Sequence, residues 1–213
     1  MKHLTNGVYI LLVLVLLFFS WLMLDITLPF FSFRYDIGFL LSKQHVLYLD
    51  IWRYSFYTHI ASSLPLLLIG ILQVIPPLRR NYPLLHRRLG RVYVFIVLFL
   101  AAPTGLIMGF YANGGIAAQA SFMLLALCWW LFTFIGYRYY LKGELSKHGN
   151  FMIRSYALTL SAILLRSYVF VLPLFSSIHG KDMYILVAWM SWVPNLLLVE
   201  LIFWLRKKRM ATV

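Results

Sequence analysis

Nine side chains of this sequence belong to types that do chemistry, and all lie in or beside long apolar stretches: His59, His86, His148, Arg91, Arg154, Arg166, Asp25, Asn195 and Glu200. A neutral imidazole ligates haem iron or a transition metal, or carries a proton. A guanidinium grips carboxylates in a two-pronged fashion. An ionisable group inside an apolar span costs roughly 2.5–3.5 kcal/mol on insertion scales, so each of these residues needs a partner or a task. Three chemistries are open to the set. In the first, His86 and His148 are the axial ligands of one b-type haem, Arg91 or Arg154 meets its propionates, and a quinone or another membrane electron carrier exchanges electrons with it. In the second, His86, His148 and Glu200 bind zinc or iron. In the third, the buried Arg, Glu and His residues bind an anion or relay protons in a small transporter. A purely structural alternative stands beside all three: Arg154 pairs with Glu200, Arg166 pairs with Asp25, and the two inner histidines face water.

The elements that hold these residues follow from composition. The 213 residues are 62% hydrophobic and 12% charged, against about 45–50% apolar in ordinary soluble domains. So few charges cannot cover a soluble surface, which excludes a soluble globular enzyme, a disordered chain and a nucleic-acid-binding domain despite the net charge of +13. The basic residues stand in short runs between apolar stretches, the pattern of membrane topology signals. A single cysteine, Cys128, leaves no disulfide framework and no thiolate metal site. The apolar runs cover about residues 7–31, 54–77, 92–111, 116–137, 151–175 and 183–205. They predict an all-α bundle of six transmembrane helices, one domain over residues 1–213, with the lipid bilayer as its principal partner.

Within the second run, His59, Ser62, Ser63, Gly70 and Gln73 fall on one narrow stripe, a polar seam turned inward, and Pro65 is expected to kink the helix. In the fifth run, His148, Ser155, Thr159, Ala162 and Arg166 share one face, with Arg154 about 120° away. Ala101, Gly105 and Gly109 form a row of small residues for close helix contact. The stretch 32–53 reads as a polar loop, and Trp52 as part of an interfacial aromatic belt. Alternating the six spans puts thirteen Lys and Arg on the side of both termini and four on the other: Arg34, Lys43, Arg53 and Lys181. The positive-inside rule then sets both termini in the cytoplasm of a cell whose inner, or plasma, membrane the chain spans. Depth sorts the polar residues into an outer cluster of His59, Arg166 and Asp25, and an inner set of His86, His148, Arg154, Glu200 and Asn195.

Two motifs are specific: His-Arg-x-Leu-Gly-Arg at 86–91, and His-x-x-x-Met-x-Arg-Ser-Tyr from His148 to Tyr156. Together with YTHIASSLPLLLIGILQVIPP, the NGG turn and a late NLLLVE, they resemble a bacterial family of membrane proteins known as the domain of unknown function 2306. The resemblance runs over roughly residues 54–200. It implies a multi-span inner-membrane protein with polar residues at His59, His86, His148, Arg154, Arg166, Asn195 and Glu200, and it implies no activity. The layout of the histidines is also similar to that of the diheme ascorbate-linked cytochromes b. The fourth span, however, has no histidine to face His59 across a second haem.

Overall fold

The computed structural model describes residues 2–175 and 177–211. These fold into α-helices, short 3-10 turns and one π turn, with no strand among the described residues. Six segments are long and apolar enough to cross a bilayer: Ile10–Ser32, Asp50–Val74, Pro83–Phe110, Ile116–Leu141, Leu145–Leu174 and Gly180–Arg209. The first is α1 (Lys2–Thr27) and its 3-10 extension, the second α2 (Asp50–Val74). After a short α3 (Pro76–Asn81), the third span is α4 (Pro83–Ile96), a π turn (Val97–Ala101) and α5 (Ala102–Phe110). The fourth is α6 (Ile116–Leu141). The fifth contains α7 (Leu145–Thr159) and α8 (Ser161–Val171), the sixth α9 (Gly180–Met190) and α10 (Val193–Ala211). Large apolar side chains left exposed on α1, such as Ile10, Leu11, Leu14 and Trp21, belong against lipid.

Two spans start earlier than their apolarity suggests. Pro83 opens α4 from the first helical position, where its missing N–H costs nothing. His86 and Arg91 therefore ride on a helix, as does His148 near the start of α7. Apolarity marks only the stretch within hydrocarbon, and these helices begin in the headgroup layer. Pro65 does not interrupt α2. The breaks fall elsewhere: at Leu160 in the fifth span, and at Ser191 and Trp192 just before Pro194 in the sixth.

α6 is central and packs on α5, α7 and α9. Its contact with α4 and α7 is made through hydroxyls as well as apolar groups. Tyr93 Oη lies 3.0 Å from Ser155 Oγ and 2.7 Å from Thr159 Oγ1, and Thr133 Oγ1 lies 2.7 Å from Ser155 Oγ. Trp192 donates to Ser121 Oγ at 2.9 Å, and Ser121 donates to the Ala188 carbonyl. All these groups are buried, and each bond relieves a desolvation cost of about 1–3 kcal/mol. Gly70 lets α7 approach α2: a Cβ there would overlap the ring of Tyr156, whose hydroxyl donates to the Leu67 carbonyl.

The stretch expected to be a polar loop is instead a folded cap over the end of the bundle away from the termini. Its 3-10 turns, Leu28–Ser32 and Gly38–Lys43, gather Phe30, Leu40, Val46 and Leu47 against Trp52 and Phe56. Trp52 is fully buried in this cluster and stacks on Phe56, so it is no belt residue. The apolar residues of the cap are too scattered for a helical or strand period, which is why their pattern reads as loop.

Candidate functional site

Beneath the cap, the bundle forms a partly open cavity of about 580 Å³. That is the size of pockets that enclose drug-sized molecules. α1, α2, α5, α6, α7, α8 and α9 all contribute to its wall. Leu67, Trp129, Leu158 and Thr159 line it toward the end away from the cap. Among the described residues, three basic side chains line it, Lys43, His59 and Arg166, and no Asp or Glu does.

His59 is placed by an irregularity of the third span. Pro103 supplies no N–H, and the five residues Val97–Ala101 just before it widen into a π turn. Thr104 bonds back to the Leu100 carbonyl at 2.5 Å. The Ala101 carbonyl stands 2.8 Å from His59 Nδ1, and a carbonyl only accepts, so Nδ1 carries the proton and donates. The neutral ring then keeps its Nε2 lone pair, with no hydrogen-bond partner among the described residues. Gly105 makes the seat: a Cβ there would stand 3.0 Å from His59 Cε1. Of the two glycines in the small-residue row, Gly109 is the one that meets α6, at Phe122 and Met123.

Arg166 reaches the cavity from α8 and comes within electrostatic reach of His59 and Tyr184. Among the described residues it has neither a carboxylate partner nor a hydrogen bond. Asp25, expected beside it, lies on an exposed face of α1 and does not line the cavity, so the outer cluster contains His59 and Arg166 without an acid. α1 is rotated to bury Met23 and Thr27 instead, both of which line the cavity.

Lys43 clasps the cap to the bundle. Its ammonium donates to the Tyr111 carbonyl at 2.5 Å and to Asn113 Oδ1 at 2.7 Å. The residue is 2% exposed, and burial pulls its pKa down to about 8. Asn113 is held in turn by donating to Ser42 Oγ at 3.1 Å. Trp52, also in the wall, has an indole N–H that is buried without a partner among the described residues.

The inner set is arranged differently. Arg154 and Glu200 form a two-pronged ion pair, Nε to Oε1 at 2.5 Å and Nη2 to Oε2 at 2.8 Å. Phe151 and Phe203 lie within 5.0 Å and 4.8 Å of the guanidinium carbon. Arg154 is thereby committed, and its expected role at haem propionates is not compatible with this arrangement. Arg91 is exposed and bonds weakly to its own helix, at the Arg87 carbonyl. Asn195 donates to the Ala157 and Ser191 carbonyls, a helix-to-helix tie. His148 Nδ1 donates to the Gly136 carbonyl at 2.9 Å, while His86 Nδ1 is buried without a partner. The two imidazoles lie close enough to influence each other electrostatically. They do not join Glu200 in a ligand set: no group of three or more His, Cys, Asp and Glu side chains suited to a metal occurs among the described residues. The two-histidine, one-glutamate metal centre is therefore corrected, because the carboxylate is taken by Arg154.

Lys43, Gly105, Thr104 and Trp52 did not stand out as site residues in the sequence. The Pro103-Thr104-Gly105 run, a helix breaker beside a small residue at mid-span, is the signal that could have found Thr104 and Gly105; Lys43 and Trp52 have none. No curated protein and no solved structure matches the chain. The family described as Predicted membrane protein (DUF2306) matches residues 56–203, which takes in His59, the cavity wall from α2 to α9 and the Arg154–Glu200 pair. The chain belongs to this family of multi-pass membrane proteins of unknown function.

Proposed function

We propose that this protein is a membrane-embedded binding protein that takes up a lipid-soluble small molecule in the cavity beneath its cap, as a carrier or relay. The observation that carries this reading is the cavity itself, lined mostly by apolar side chains and supplied with a few polar groups. A cavity of this size left empty would forfeit the dispersion contacts of its lining. In the orientation set by the basic residues, the protein lies in a bacterial inner membrane and the cavity lies in the outer half. Ala162 on α8 lines the cavity, so Ala162→Phe fills it. Solvent extraction of the purified protein, followed by mass spectrometry, is expected to release a lipid-soluble compound at about one per chain from the wild type and far less from Ala162→Phe. Equal retention by the two proteins would overturn the reading.

A second reading places a b-type haem between His86 and His148, with a quinone or another electron carrier as its partner. The unpartnered, buried Nδ1 of His86 near the fixed imidazole of His148 supports it. Its test is an absorption spectrum of protein made in haem-replete cells: a Soret band lost in both His86→Ala and His148→Ala supports it, and a colourless wild type removes it.

A further inference from the structure

Resting on the cavity as a binding site, we infer that its ligand is an amphipathic anion, an apolar body bearing one acidic head, and that Arg166 and His59 receive the head. Among the described residues, three basic side chains and no carboxylate line the cavity. Lys43 is already satisfied by two oxygens, Tyr111 O and Asn113 Oδ1. Arg166 is not satisfied by any described residue. A cation kept in a bundle without a counter-charge is costly, and the other arginine of the same span, Arg154, shows the usual solution, a carboxylate. At Arg166 that carboxylate, or its phosphate equivalent, must come from outside the chain.

Depth agrees with this. At about 1.5 Å per residue, His59 lies roughly 13 Å along α2 from its cap end, and Arg166 roughly 12 Å into its span from Leu174. The two groups share a level below the headgroups, so a small hydrated anion would have to shed its water to reach them. An acid attached to an apolar body gains the apolar lining of Leu67, Leu125, Trp129 and Leu158 in exchange. The head site offers a donor and an acceptor. Arg166 offers a fork matched to two oxygens. His59, fixed through Nδ1 on Ala101, offers Nε2 as an acceptor for the proton of an undissociated acid, or as a second cation once it takes that proton.

The test uses the full chain in detergent micelles and five probes: laurate, dodecyl phosphate, dodecanol, acetate and inorganic phosphate. Native mass spectrometry reads the bound stoichiometry, and titration reads the affinity. Laurate, dodecyl phosphate or both are expected to bind one per chain, roughly ten- to hundredfold more tightly than dodecanol, the range of one charge-assisted hydrogen bond. Arg166→Gln is expected to bring the acids down to the level of dodecanol, leave dodecanol unchanged, and melt no lower than the wild type. Arg166→Lys, which keeps the charge and loses the fork, is expected to fall between. Dodecanol binding as tightly as the acids would overturn the anionic head and leave the cavity reading intact. Acetate or inorganic phosphate competing as strongly as laurate would make this a site for free anions and overturn the amphipath. No binding of any of the three amphiphiles would overturn the cavity reading together with this inference.

Discussion

Arg154 and Arg166 sit on the same span, twelve residues apart, in opposite halves of the bundle. The first is held by both oxygens of Glu200 and faces two aromatic rings. The second faces a cavity and has no acid beside it among the described residues. Both residues have the same chemistry and the same cost of insertion, and the chain settles that cost internally in one case only. The difference separates a side chain used to tie α7 to α10 from one left available to a molecule the chain does not supply.

The sharpest way to break this contrast is to remove the acid. Glu200→Gln leaves Arg154 without its counter-charge. Because the carboxylate is partly exposed, with 46% of the side chain accessible, the loss is expected to be about 1–3 kcal/mol, below the range for fully buried pairs. A drop in the thermal midpoint with laurate binding unchanged checks it. Arg166→Gln should act in the opposite sense, with unchanged stability or a gain of up to about 1–2 kcal/mol in the absence of ligand. A large loss of stability from this change would show that Arg166 has a structural partner.

The cap offers a pH test. Folded Lys43 titrates at about 8, against an ordinary value of 10.5. Between these values the unfolded chain binds the proton and the folded chain does not, so stability rises as pH climbs through this window. Below about pH 8 both states are protonated and Lys43 adds no pH dependence. Melting the wild type and Lys43→Met at pH 7.5 and 9.5 is expected to show a relative gain for the wild type at the higher pH. The smallest effect belongs to the exposed Arg34–Asp36 pair of the cap, where the hydrogen bond between the two side chains holds the guanidinium above and the carboxyl below their usual values. Arg34→Ala is expected to leave the melting curve where it is, because water and salt screen a pair this open.

Six spans were legible because a run of about twenty apolar residues has few other uses. The inward face of the fifth span was legible too: Ser155 and Thr159 are buried, and Ala162 and Arg166 line the cavity as their spacing requires, even though the helix breaks at Leu160. What spacing could not give was the rotation of one helix about its axis relative to the next. Asp25 and Arg166 share a depth, yet α1 turns Asp25 away and Thr27 inward. Nor could it show that Lys43, a single charge in an irregular stretch, folds under the cap to reach Tyr111 and Asn113 across long sequence separations. Gly105 reads as helix packing from its spacing with Gly109, and only the position of the imidazole shows that it makes room for His59.

The account stands most directly on where a bound amphipath sits. Laurate carrying a photoreactive diazirine, irradiated with the full chain and followed by peptide mapping, reports this position residue by residue. Labelling on α2 near His59 and on α8 and α9 between Leu165 and Tyr184, competed by unlabelled laurate and lost in Ala162→Phe, is the predicted result. Competed labelling confined to the inner end, around His86 and Phe151, would contradict it.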